Sequence, residues 1–282
     1  MQAGLAMGLT LALGSGLSSA IAHWLLKSGD SKTAVQAWSR LIIAAIFLPA
    51  TWWIGWPPAE LWPWLIAAVT LHTLYYLTLI WSYSINDFSA AYPIARGCAP
   101  IFTTFFGLLL LRDQLDHWTI FGILTIALGI FHLGDPRQIP RAGLIAAICS
   151  GLMTSGYTLI DAAAIRAAPS ALIFIVWLFV LDGIAMPALL FLRHRAEAFT
   201  LLRQDAKPGI LAGLASPFAF VPMLLALNLA PAGAVSAIRE TSVLFGVVLG
   251  RVMLKEQVKC RRAIGAVLVT CGALLIMAQA LL

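Results

Sequence analysis

Charge is what this sequence has least of: Asp, Glu, Lys and Arg make up only 11% of its 282 residues, against 61% hydrophobic residues. With a mean hydropathy of +0.92, that scarcity excludes a water-soluble domain and makes lipid the relevant solvent. Cysteine is sparse too. Cys98, Cys149, Cys260 and Cys271 show no paired spacing, so neither a disulfide framework nor a zinc site is implied, and they are expected to serve packing. Motifs for intramembrane chemistry are missing: there is no H-E-x-x-H, no Walker-type phosphate loop, and no partnered histidine setting for the serines of GSGLSS at 14–19. Nor does any Lys or Arg precede the first apolar run, so its end at Ala20-Ile21-Ala22 lacks the basic leader of a signal peptide.

Long apolar runs are present instead. Crossing roughly 30 Å of hydrocarbon takes about 20 residues per helix, and ten runs of about that length are separated by brief polar interruptions. They span 3–26, 33–55, 61–83, 88–111, 117–134, 141–165, 169–192, 208–229, 233–254 and 263–281. Because the runs are continuous and not alternating, helices and not barrel strands satisfy the backbone in lipid. The first run is therefore expected to be a transmembrane helix. The tryptophans of TWWIGWPPAELWPW (51–64) fit the aromatic belt at a bilayer edge.

The net charge of +6 would suggest nucleic acid in a soluble protein. Here the basic residues sit in the connections. Twelve Lys and Arg residues, from Lys27 to Arg262, fall after the odd-numbered spans, whereas only Arg112 and Arg166 fall after the even-numbered ones. By the positive-inside rule this count puts the odd connections in the cytoplasm and both termini outside.

A shift of 143 positions (239 − 96) lays AYPIARGCAPIF (91–102) over AVSAIRETSVLF (234–245), matching Arg96 with Arg239 and Phe102 with Phe245. The same shift matches LRDQ (111–114) with LKEQ (254–257), Gly122 with Gly265, and Gly129 with Gly272. AGL at 3–5 echoes 142–144, and GSG at 14–16 echoes TSG at 154–156, at nearly the same offset. A run of matches in one register signals an internal repeat. The expected fold is an all-α polytopic membrane protein of ten transmembrane helices, built as two five-helix repeats at 1–136 and 137–282. Since five is odd, the second repeat enters the membrane from the opposite side, which makes the pair inverted and places a substrate site near the midplane between the halves.

This doubled unit, each copy closing with an apolar helix, an L-R/K-D/E-Q turn and a Gly-x6-Gly helix, resembles the EamA branch of the drug/metabolite transporter superfamily over nearly the whole chain. The resemblance implies a ten-helix permease of the bacterial inner membrane, often an exporter of amino acids or other metabolites, with both termini in the cytoplasm. On the last point it opposes the loop charges.

Ionisable residues at membrane depth cost something like 3 kcal/mol each and so mark function or pairing. The fourth span carries Tyr92 and Arg96 on one face, with Pro93 and Pro100 expected to loosen the backbone around them. The ninth carries Arg239 beside Glu240, followed by Thr241 and Ser242. The third offers His72, Tyr75 and Tyr76, the sixth Tyr157 and Asp161, and the seventh Asp182. Arg96, Arg239, Glu240, Tyr92, His72, Tyr76 and Tyr157 are the expected substrate-binding set, and Glu240, His72 and Asp182 the candidates for proton coupling. The structural alternatives are an Arg–Glu ion pair between helices, or an Arg96 that snorkels to an interface. Asp161, nearer a helix end, is expected to be solvated, and Arg40 to pair with lipid phosphate or a carboxylate.

Two arginines favour an anionic group, and Glu240 an amine or a proton. The expected cargo is therefore a small polar metabolite such as an amino acid, organic acid or phosphonate, moved by alternating access with protons or another coupling ion. No cofactor or metal is expected. Two other readings stand beside the transporter: an intramembrane enzyme, for which no motif is found, and a non-transporting membrane scaffold, against which the paired arginines argue.

Overall fold

A computed structural model describes residues 2–85, 88–133, 140–245 and 260–281. It is helical throughout, with no strand among the described residues. The long helices are α1 (Gln2–Ser28), α2 (Lys32–Phe47), α3 (Trp62–Ile85), α4 (Phe88–Phe106), α5 (His117–Leu133), α6 (Arg141–Ala167), α7 (Ala171–His194), α8 (Ala206–Leu229), α9 (Ala232–Arg239) and α10 (Cys260–Leu281). Seven segments among the described residues are long and apolar enough to cross a membrane, and His117–Leu133 and Ile264–Ala278 are shorter apolar helices. The ninth expected span, 233–254, and LKEQ lie partly or wholly outside the described residues.

Helix starts and stops follow local chemistry. Ser31 caps α2 by accepting from the Ala34 amide at 3.3 Å, and Asp116 caps α5 by accepting from the Trp118 and Thr119 amides. Pro49 ends α2, which continues as a turn of tighter helix and a last α-turn, Thr51–Ile54. The exposed Trp52, Trp53 and Trp56 follow at this end.

The broadest interfaces join helices from opposite halves of the chain: α1 with α8, α5 with α10, α3 with α6, α2 with α7, and α4 with α6. The pattern survives exchange of the halves. Adding five to each label turns α1 against α8 into α6 against α3, and α4 against α6 into α9 against α1, both of which are present. The repeats are thus units of sequence that interleave in packing.

Glycine makes the closest crossing possible. A Cβ at Gly122 would lie 2.8 Å from the Gly272 carbonyl oxygen, and one at Gly129 would lie 2.8 Å from that of Gly265. Only a residue without a side chain permits such contact between membrane helices. As residue numbers rise along α5 they fall along α10, so these fifth and tenth helices are antiparallel. That is the relation an inverted pair requires.

Connections cluster by parity. Asp205, just before α8, accepts from the Asp30 and Ser31 amides at 3.0 and 2.8 Å, joining the connections after α7 and α1. Arg261 donates to the His132 carbonyl at 2.9 Å, joining the start of α10 to the end of α5. At the other end Asp113, after α4, pairs with Arg166 at 2.7 Å and accepts from the Ala232 amide that opens α9, while Arg166 also reaches the Leu227 and Ala230 carbonyls. The Asp of the L-R-D-Q turn is therefore a clamp that also caps a helix of the other repeat.

Candidate functional site

The charged residues of the spans converge inside the bundle. On α4, Arg96 is 4% exposed and pairs with Glu240 at 3.0 Å. Its other amino group reaches the Ser19 hydroxyl at 3.1 Å and the His23 Nε2 at 2.8 Å, both on α1. A guanidinium can only donate, so Nε2 of His23 accepts and is unprotonated there. Snorkelling is thereby excluded for Arg96.

Arg239, its repeat mate, is 3% exposed and has a different environment. It donates to the Tyr157 hydroxyl on α6 at 3.0 Å and sits 5.2 Å over the ring of Phe220, within cation–π range. Each arginine therefore turns to the first helix of its own repeat. Among the described residues, however, no carboxylate lies within ion-pair distance of Arg239, and its Nε has no hydrogen-bond partner.

The repeat register explains the asymmetry. Glu240 corresponds to position 97 (240 − 143), where the first repeat has glycine. Gly97 faces Ile130 and Phe131 of α5 at 3.4 Å. The second repeat lends its carboxylate to the arginine of the first and receives none in return.

The backbone also departs from ideal helix here. α9 stops at Arg239: the Glu240 amide is shared between the Ser236 and Ala237 carbonyls, that of Thr241 bonds to Ile238, and that of Val243 turns to Glu240. Helical conformation resumes at Ser242. The Thr241 hydroxyl donates to the Ile238 carbonyl at 2.7 Å, a side-chain competitor that favours the break. Gly16 of α1 packs on the broken turn, its absent Cβ 3.3 Å from the Ser242 amide nitrogen. The loosening expected around Pro93 and Pro100 is not seen as an interruption: α4 runs through to Phe106. Pro100 nevertheless has no N–H to offer the Arg96 carbonyl, so neither arginine's carbonyl receives the amide four residues on.

A second cluster shares Phe220 with Arg239. Arg40 of α2, 2% exposed, pairs with Asp182 of α7 at 3.1 Å and donates to Tyr76, Ser39 and Ser216. It too lies over the Phe220 ring, at 5.4 Å. Of the two partners expected for Arg40, a lipid phosphate and a carboxylate, the structure selects the carboxylate. Tyr76 is drawn into this pair, donating to Asp182 at 3.3 Å.

His72 of α3 bonds through Nε2 to Asp161 of α6 at 3.0 Å, with relative exposures of 1% and 0%. The expectation that Asp161 is solvated is corrected: the long α6 runs to Ala167, so Asp161, six residues before its last, is still inside the bundle, against α3. His72 also packs against Tyr157, ring centres 4.5 Å apart. Tyr92 lies in α4, but its side chain is outside the described residues.

Ser19, His23, Ser39, Ser216 and Phe220 were not anticipated. A signal existed for two of them, since Ser15, Ser19 and His23 recur every four residues along an apolar run and so share one face. Phe220 carries none, because an aromatic in a lipid-soluble helix is ordinary.

A family model described as the EamA-like transporter family matches residues 2–134 and again 141–278. A solved crystal structure superimposes with a TM-score of 0.74 at 17% sequence identity, over 99% of this chain and 99% of that one, a likeness of fold. No curated protein matches the chain in sequence.

Proposed function

This chain belongs to the EamA-like transporter family, a multi-pass membrane protein of a transporter family, and from that premise we propose that it is a secondary transporter of a small polar metabolite with an anionic group. Amino acids, organic acids and phosphonates are the cargo classes. Ten crossings as two inverted repeats, at 1–136 and 137–282 in a bacterial inner membrane, give the frame for alternating access. The antiparallel α5/α10 crossing and the clustering of connections by parity support that frame.

One observation carries the reading: Arg239 is a buried guanidinium with no carboxylate within ion-pair distance among the described residues, held by a phenol and an aromatic face. An isolated ion at this depth costs several kcal/mol, which an incoming anion would offset. The α9 break beside it fits the interrupted helices that line transporter sites. Arg96, Glu240, Tyr157, His72 and Tyr76 complete the wider binding set, with Tyr92 on the same helix as Arg96. Glu240, engaged by Arg96, is less able to bind an amine than its sequence position suggested, unless the pair opens during the cycle.

The test is a thermal-shift screen of amino acids, organic acids, phosphonates and amines on purified protein and on Arg239→Gln. Anionic compounds are expected to stabilise the first and not the second. Stabilisation by amines alone would reject the reading.

A further inference from the structure

Resting on the reading of Arg239 as the anion site, we propose that the His72–Asp161 pair is the proton site of this protein, taking up one proton for each anionic charge bound at Arg239.

The argument is one of charge inside a low-dielectric bundle. Among the described residues, Arg40 is neutralised by Asp182 and Arg96 by Glu240. What remains is Arg239 and the Asp161 carboxylate, which lie within electrostatic reach of one another. With His72 neutral and donating from Nε2, these two charges balance at a distance, joined through Tyr157, which accepts from Arg239 and packs against His72. A monoanion on Arg239 upsets that balance. The interior then holds one uncompensated negative charge, and burial of unpaired charge is expensive.

One proton restores neutrality, and the dyad is where it fits. Protonation converts His72 to imidazolium without moving a heavy atom, because its Nε2 already donates to Asp161 and a full ion pair replaces a hydrogen bond from neutral imidazole to carboxylate. The Asp161 Oδ1 has no hydrogen-bond partner among the described residues, leaving it open to accept a further donor.

The other groups around the dyad are less suited. Tyr75 and Tyr76 on α3 and Tyr157 on α6 are phenols, and Asp182 on α7 is engaged by Arg40 of α2. α8 presents Phe220, and α9 presents Arg239. α4 meets α6 with Cys98 beside Gly151, almost three turns from Asp161. His23 on α1 accepts from Arg96, so charging it would break that bond.

The sign of the linkage follows. If anion binding brings a proton, affinity is highest at low pH and falls as pH rises, by about tenfold per unit between the proton affinities of the empty and occupied dyad. The probe must not titrate itself, so methanesulfonate and acetate are used between pH 6 and 9 with the full-length protein in detergent. Dissociation constants should rise with pH in the wild type. Asp161→Asn, which mimics the protonated dyad, should bind at the wild type's low-pH affinity throughout. His72→Gln, which cannot take the proton, should stay at the high-pH affinity throughout. Calorimetry of the wild type in buffers of different ionisation enthalpy should count one proton taken up per anion, which decides the matter even if a variant fails to fold.

Binding that is lost in Arg239→Gln but independent of pH in the wild type overturns the proton site and leaves the anion site standing. Binding unaffected by Arg239→Gln, or absent for both probes, overturns both.

Discussion

Arg96→Gln and Arg239→Gln remove the same group from repeat-related positions and should have opposite consequences for stability. Arg96 neutralises Glu240, which is 1% exposed. Deleting it strands a buried carboxylate, and breaking a buried pair from one side costs about 3–5 kcal/mol. Arg239 neutralises nothing within ion-pair distance among the described residues. Its removal forfeits a charged hydrogen bond to Tyr157 of about 1.5–3 kcal/mol and a cation–π contact of about 2 kcal/mol. Against these stands relief of a desolvation penalty of several kcal/mol. At a pH low enough for the His72–Asp161 dyad to take up the proton that rebalances the interior, the net change is near zero or stabilising. Unfolding of the purified variants in one detergent, followed by intrinsic Trp fluorescence, should therefore place Arg96→Gln well below the wild type and Arg239→Gln at or above it. Glu240→Gln should resemble Arg96→Gln, and the double variant of that pair should be more stable than either single one. If Arg239→Gln is as destabilised as Arg96→Gln, Arg239 is a structural ion and the argument from its missing partner fails.

Two further outcomes test the frame around the site. Gly129→Val would drive a side chain to within 2.9 Å of Leu268 and 2.8 Å of the Gly265 carbonyl oxygen, so it should lower stability by about 1–3 kcal/mol or block assembly; Gly97→Ala, whose nearest neighbours are at 3.4 Å, should melt within a degree or two of the wild type, by comparison of purified yields and melting curves. Asp205→Ala deprives the half-exposed amides of Asp30 and Ser31 of a charged acceptor, at about 1.5–3 kcal/mol for a hydrogen bond to a charged group, and should speed tryptic cleavage at Lys32. Unchanged cleavage would mean that the connections after α1 and α7 are held together by something else.

How much of this was legible beforehand depends on what each feature rests on. The helices, the repeat and the pairing of Arg96 with Arg239 follow from hydropathy and register, which are properties of the chain read linearly. That Glu240 serves Arg96 and not its own neighbour is not linear information. It arises because α9 breaks at Arg239, turning the next residue toward α4, and no proline or glycine marks that break. Asp161 was misjudged for a related reason: distance from a helix end measures depth only if the helix ends at the bundle's edge, whereas α6 is 27 residues long and packs along α3. Arg40, expected to pair with lipid phosphate or a carboxylate, finds its carboxylate 142 positions away, in the pseudo-symmetric helix of the other half.

The central claim is that Arg239 binds the anionic group of the substrate. Crystals of the protein soaked in selenate and measured at the selenium edge test it most directly. The account predicts an anomalous peak within hydrogen-bond distance of the Arg239 guanidinium that vanishes in Arg239→Gln; selenate bound only at surface lysines and arginines, with the interior empty, would contradict it.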